Sequence, residues 1–353
     1  MPTLNEQQRG ARYASVDSLR GLAVAAMLLV NDPGDWQHVY APLEHAAWNG
    51  CTLADLVFPV FLFIVGVSIT LASGAGRTTS GAVLLRAARI VGLGLALHLV
   101  AYLALDTASF RPMGVLQRIG ICYAAAALLA LRTSARTQWL VFVAILAGYG
   151  LLLAGAPMTK EANLASRFDT WLLGRHVYEF DAASGRGHDP EGLLSTLPAL
   201  ATTLLGVRCG AWLQRGARRT LLAAGLSALL LGWLIALVQP FNKQLWTPSY
   251  VLWTGGLAIA ALLLAHELVD RRGGPAIARS LGVNAIAAYA LAWLLVCLLE
   301  GAHWGAALYR AGFGWIVPGI GAEAASLAYA VVFVAIVWAV MVQLARRGIR
   351  IKV

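Results

Sequence analysis

The stretch "LEHAAWNG", residues 43–50, sets Glu44, His45, Trp48 and Asn49 close together between two strongly apolar segments. An imidazole titrates near neutrality, so His45 suits the role of general base for an amine or hydroxyl attacking an acyl carbon. Trp48 offers an aromatic face to a sugar ring, and Asn31 or Asn49 offers an amide N–H to a developing oxyanion. A loop histidine is ordinarily only solvated or hydrogen-bonded. Here Asn31, His45 and Asp55 cluster towards the same membrane face, which brings a chemical role level with that ordinary one. Neither His38 with His45 nor His176 with His188 has metal-ligand spacing, and no metal is expected.

The elements that must position these groups are membrane helices. The 353 residues are 59% hydrophobic and 12% charged, with a mean hydropathy of +0.70, against roughly 45–50% and 25% in soluble domains. Apolar runs are read at 15–31, 53–73, 83–105, 114–131, 139–156, 193–213, 220–238, 249–268, 281–299 and 324–344. The expected fold is therefore an all-α, polytopic transmembrane bundle of about ten spans. It forms one domain over residues 15–344, between a tail of residues 1–14 and a basic tail of residues 345–353. The first run lacks a signal-peptide cleavage pattern and is expected to remain as a span. Cys51, Cys122, Cys209 and Cys297 have no CxxC spacing and suggest neither a zinc knuckle nor a redox pair.

Basic residues orient the bundle. With both ends in the cytosol, the cytosolic segments hold 19 of the 27 Lys and Arg, among them Arg9, Arg12, Arg77 and Lys352. The opposite face holds eight, including Arg111, Arg118 and Lys243. Both termini are therefore expected to be cytosolic. The net charge of +10 is read as topology and contact with anionic lipid, not as a nucleic-acid surface.

Polar chemistry collects on the far side. Asp55 leads into the second run and Arg118 into the fourth. Ionisable groups at such depth are costly and call for a partner, so the two are expected to pair or share a site. Pro59 and Gly66 bend the second helix beside Asp55 or simply pack it. "HDPEGLLSTLPA" carries Asp189 and Glu191, and "NKQLWTPSY" carries Asn242 and Lys243; both suit a sugar as well as capping and interfacial anchoring. On the cytosolic side Asp17 and Arg20 share a helix face, as an ion pair or as the lining of a charged-ligand site. The loop of residues 157–192 is long enough to be functional, and "RFDTWLLG" reads as a short surface helix. Neither HExxH, GxSxG, a P-loop nor GxGxxG in a strand-to-helix setting is present, which argues against the enzymes that use them.

Taken in order, "RYASVDSLRGLAVAAMLLVND", "LEHAAWNGCTLADLVFPVFLFIVGVSI", "RPMGVLQRIGICY", "DPEGLLSTLPAL", "NKQLWTPSYVLWTGG" and "LGVNAIAAY" resemble the heparan-alpha-glucosaminide N-acetyltransferase family. They are most similar to its bacterial, inner-membrane members. The first block alone also resembles the opening of the acyltransferase-3 class, in which a histidine follows in the first helix. Here that stretch, "MLLVND", offers Asn31, and the histidine comes later.

The resemblance implies that cytosolic acetyl-CoA supplies an acetyl group to the amine of a terminal glucosamine across the membrane. It implies His45 as the active-site histidine and Asn31 as its companion, with Asp55, Arg118, Asp189, Asn242 and Lys243 as lining. Residues and resemblance together place coenzyme A phosphates among Arg20, Arg86 and Arg89, and the amino sugar near Asp189 or Glu191. His45 then acts as general base or carries the acetyl group itself. The chain begins almost at the first block, without the long luminal segment of the animal members, so a small amino sugar is the expected acceptor. Homodimers occur in the family, but no interface is legible in one chain. The rival class is an amino-sugar permease, which predicts repeat symmetry between halves that the sequence does not display.

Overall fold

A computed structural model of the chain describes residues 13–73 and 78–351. The tail expected at residues 1–14 lies outside them apart from Tyr13 and Ala14, as do Arg9, Arg12, Arg77 and Lys352. The helices run α1 (Ala14–Asn31), α2 (Leu53–Ser73), α3 (Ser80–Ala104), α4 (Val115–Arg132), α5 (Ala135–Ala154) and the short α6 (Leu164–Leu173). A hairpin of β1 (Glu179–Asp181) and β2 (Arg186–His188) follows. Then come α7 (Thr196–Gln214), α8 (Arg218–Ala236), α9 (Pro248–Ala265), α10 (Arg279–Val283), α11 (Ala285–Gly301), α12 (Gly305–Phe313), α13 (Val317–Ile320) and α14 (Ala322–Arg346).

The chain is a polytopic helical bundle. Among the described residues, eight helices are long and apolar enough to cross a membrane. A ninth is added if α11 and the stretch Gly305–Ile320, bent by 95°, are taken as one span. Two of the ten expected runs fall outside the eight. The run 193–213 becomes α7, which carries Arg208 and is sheathed by α2, α4 and α5, so its surface meets protein and has less need of apolar side chains. The run 281–299 breaks at Asn284, whose amide bonds the backbone of Ile349 and Ile351 and docks the chain's end across the gap.

α2 and α7 form one of the closest pairs. A β-carbon on Gly66 would collide with the Thr203 carbonyl, and one on Gly206 with the Phe63 carbonyl. Gly66 is thus a packing residue. With Gly210 it completes a small-residue seam that lets two backbones approach where apolar burial alone gives no preference for protein over lipid. In the long loop "RFDTWLL" is helical, within α6, which starts three residues before the expected helix and is capped by the Asn163 side chain on the Ser166 amide at 2.8 Å. The hairpin was not anticipated; its strands are three residues each, too short for a periodicity to register.

Gly206→Leu is expected to destabilise the bundle by at least about 3 kcal/mol, because backbone and not a flexible side chain blocks the new atoms. A fall in melting temperature in detergent, with Gly92→Leu on the open face of α3 as the size-matched comparison, checks it.

Candidate active site

Asp55 is the third residue of α2, and Thr52 precedes the helix as its cap. In that position the Asp55 carboxylate reaches back to the Thr52 amide at 3.1 Å, as one half of a capping box. It also accepts from the Ala46 amide at 3.1 Å and contacts His45 Nδ1 at 2.8 Å, while remaining 1% exposed. The imidazole is therefore gripped at Nδ1, where an N–H donates to the carboxylate and leaves Nε2 as the basic nitrogen.

Pro59 supplies the second fixed point. Lacking an N–H, it leaves the Asp55 carbonyl without its helical donor. The Tyr250 hydroxyl donates to that carbonyl at 2.5 Å, from a buried position on α9. Asp55 is thus tied through its side chain to the loop before α2 and through its backbone to α9.

The loop before α9 brings in Lys243. Its Nζ lies 3.0 Å from His45 Nε2, 3.1 Å from Nδ1 and 3.8 Å from Asp55 Oδ1. Burial lowers the Lys243 amine below its ordinary value, opposed by the carboxylates of Glu191 and Asp55. Asn242 is fully buried and serves the loop itself: it accepts from the Leu245 amide at 2.8 Å and donates to Asn49 at 3.2 Å. Trp246, two residues before α9, has a left-handed φ of 55°, which costs an L-residue about 1–2 kcal/mol. Its indole is clamped by Thr202 at 3.1 Å and by the rings of Phe58 and Tyr250, which offsets that strain.

These groups open onto a cavity of about 430 Å³, within the range for small-ligand sites. Asn31, Asp32, His45, Glu191 and Lys243 line it together with Arg111, Tyr178, Tyr289 and Trp293. Arg111 forks onto Asp189 at 2.5 and 2.9 Å and onto Glu191 at 2.6 Å, and lies 4.7 Å from the centre of the Tyr178 ring. Burial would raise the Glu191 carboxyl, but Arg111 and Arg118 outweigh it and hold Glu191 well below its ordinary value. Asp32, at the end of α1, is instead pushed up to about 7 by burial. Its carboxylate has no hydrogen-bond partner among the described residues.

The expected residues divide accordingly. Asn31, His45, Glu191 and Lys243 meet at the cavity, and Asp55 stands behind His45. Asp189 is buried beneath Arg111 and holds it. Arg118 does not pair with Asp55. It is fully buried, donates to Ser195 at 2.5 Å and the Gly192 carbonyl at 3.2 Å, and lies 5.1 Å from the Trp246 ring centre. Trp48 is not a wall of the cavity: its N–H is spent on the Met158 carbonyl at 2.7 Å, and its ring meets His188 edge-on. Arg111, Tyr289 and Trp293 were missed. Arg111 had a signal, a basic residue on the face with fewer of them; the two aromatics sit in an apolar run like any others.

A second cavity of about 250 Å³ lies at the opposite ends of the same helices, lined by Arg20, Ser68, Thr78, Arg86 and Tyr123. Arg20 bonds the Gly282 carbonyl and Asp17, each at 2.5 Å, so the anticipated ion pair and cavity lining coexist. Arg86 lies 5.0 Å from the centre of the Tyr123 ring. Arg89 is exposed on α3 and is not part of this wall. The partition between the cavities is thin. On α2 one cavity ends at Phe58 and the other begins at Phe61; on α11 the limits are Tyr289 and Ile286. At 1.5 Å per residue this is about one helical turn.

Comparison with known proteins bears on this geometry. Residues 12–240 match the family described as heparan-alpha-glucosaminide N-acetyltransferase, catalytic. The chain belongs to this family. It is 31% identical to the heparan-alpha-glucosaminide N-acetyltransferase of Homo sapiens and 30% identical to that of Mus musculus, each over 74% of this chain. These alignments cover 49% and 50% of the relatives, so the chain spans about half the length of the curated relatives it matches. The family match contains Asn31, His45, Asp55, Arg118 and Glu191, and ends just before Asn242 and Lys243.

Two outcomes follow from the geometry. Tyr250→Phe strips the Asp55 carbonyl of its donor and is expected to cost about 1–3 kcal/mol. In a Pro59→Ala background, which restores a helical N–H, that loss shrinks; a double-mutant cycle read by thermal melting measures the difference. For Asp32, a folded value near 7 lies above the unfolded value of about 4, so its favourable contribution is complete below pH 4 and lost as pH rises through 7. Asp32→Asn should therefore raise the melting temperature more at pH 8 than at pH 4.

Proposed function

We propose that the protein is a multi-pass acetyltransferase of the bacterial inner membrane, with its basic ends in the cytosol. It moves acetyl from cytosolic acetyl-CoA to the amine of a glucosamine-type sugar on the periplasmic side. The observation that carries this reading is the pair of back-to-back cavities, one basic and one holding a gripped histidine, with about a single helical turn between them. A donor bound from one side needs to pass only its narrow pantetheine arm through the partition to bring the thioester to His45.

The residues then take defined roles. Arg20 and Arg86 hold the coenzyme phosphates, with Ser68 and Thr78 as neutral donors beside them. Asp55 holds His45 in the tautomer that leaves Nε2 basic and stabilises the imidazolium that forms. His45 Nε2 takes a proton from the sugar ammonium or its attacking amine, the N–C bond forms, the C–S bond breaks, and the thiolate leaves protonated. His45 as nucleophile follows the same path with an acetyl-imidazole between the two transfers. Asn31 donates to the carbonyl oxygen as it gains charge. Asp32 and Glu191 face the amine and hydroxyls of the acceptor, and Tyr289 and Trp293 supply apolar walls.

Purified protein in detergent is expected to convert glucosamine and labelled acetyl-CoA into labelled N-acetylglucosamine, and folded His45→Ala is expected to make none. Asp55→Asn should lower kcat by about 10³–10⁴, the scale seen when a histidine is left in the wrong tautomer. Arg20→Ala or Arg86→Ala should raise KM for acetyl-CoA with a smaller change in kcat. Absence of product from wild type, with labelled glucosamine carried unchanged into proteoliposomes, would replace this reading with the permease.

A further inference from the structure

We infer that Lys243 is itself an acetyl acceptor: when no sugar fills the cavity, the acetyl group delivered to His45 is transferred to Lys243 Nζ. This rests on the acetyltransferase reading above. Nζ lies almost equally far from the two ring nitrogens, 3.0 Å from Nε2 and 3.1 Å from Nδ1. The in-plane directions of those nitrogens diverge, so an atom equidistant from both lies along neither and sits beside the ring. Nδ1 is already turned to Asp55. Nε2 is left aimed at a reacting group, with a primary amine beside it.

That amine has the chemistry of the proposed substrate. It is a primary amine lining the acceptor cavity, 3.0 Å from the ring nitrogen at which the acetyl group would arrive. Burial also lowers it from its ordinary value, which enlarges its neutral, nucleophilic fraction. The two other lysines of the chain are Lys160, paired with Glu179 and half-exposed, and Lys352 near the C-terminus.

The step balances without another reactant. Neutral Nζ attacks the acetyl carbonyl carbon, the N–C bond forms and the C–S bond to coenzyme A breaks. His45 Nε2 takes the proton from the nitrogen and passes it to the leaving thiolate. If His45 carries the acetyl group first, the bond broken in the second step is the one to Nε2, and the products are the same. Acetylation removes a positive charge that faces Asp55 and Glu191 and fills part of the acceptor space. An enzyme supplied with acetyl-CoA but starved of sugar would thereby silence itself.

The test incubates the full chain in detergent with deuterated acetyl-CoA, with and without glucosamine, and reads lysine acetylation by peptide mass spectrometry. Lys160 is the internal reference for uncatalysed acetylation. Without sugar, Lys243 is expected to gain label at least about a hundredfold faster than Lys160, the scale of general-base assistance. Glucosamine should suppress it, and His45→Gln should abolish the excess. Acetylated sugar with Lys243 labelled no faster than Lys160 would overturn this inference and leave the acetyltransferase standing. Equal labelling of Lys243 in wild type and His45→Gln would also overturn it. Neither acetylated sugar nor labelled Lys243 would overturn both readings.

Discussion

The burial of the Asp55 carboxylate is the constraint on which the site depends. At 1% exposure it cannot rely on water, and a buried charge left without a partner costs about 3–5 kcal/mol. Its neighbours are the Thr52 and Ala46 amides, His45 Nδ1 and, slightly farther, the Lys243 amine. Two of these come from the loop before α2, one from the cap of α2 and one from the loop before α9. Satisfying one carboxylate therefore folds both loops against each other. The Gly50 amide on the Phe241 carbonyl at 2.7 Å and the Gln244 amide on the Ala47 carbonyl at 3.2 Å continue that junction. Orientation of the imidazole is a consequence of the same requirement.

The membrane setting explains why the second anchor is a tyrosine. Within an apolar medium a helix interrupted by proline must find another donor for the freed carbonyl. Tyr250 provides it from α9, so the residue that breaks the hydrogen-bond ladder of α2 also fixes α2 to the helix whose preceding loop carries Lys243. The tight seam of Gly66, Gly206 and Gly210 holds the other side of α2. With α2 fixed on both sides, the turn between Phe58 and Phe61 becomes a stable floor common to both cavities.

Two arginines set the charge around the cavity that holds His45. Arg111 is neutralised by Asp189 and Glu191 at the wall of that cavity. Arg118 is enclosed by Ser195, the Gly192 carbonyl and the face of Trp246, with Nε and Nη1 making no hydrogen bond among the described residues. It is a positive field beneath Glu191 and Lys243, acting on both while touching neither cavity.

The sequence by itself determined the helical bundle, because runs of about 20 apolar residues allow little else in a membrane. It also singled out Asn31, His45 and Asp55, since polar groups at the ends of such runs stand out against an apolar background. Partnership was beyond its reach. Asp55 and Arg118 are the two ionisable residues that a linear reading pairs, yet Asp55 takes His45 and Arg118 takes Ser195. Trp48 reads as a sugar platform but is turned to Met158 and His188, while Tyr289 and Trp293, indistinguishable from span filler, wall the cavity. The thin partition is likewise invisible in the chain, because it arises from the depths at which α2, α4 and α11 cross. Local pattern follows from the period of one helix and its solvent; which side chains meet follows from how helices far apart in sequence are packed, and only the tertiary structure decides that.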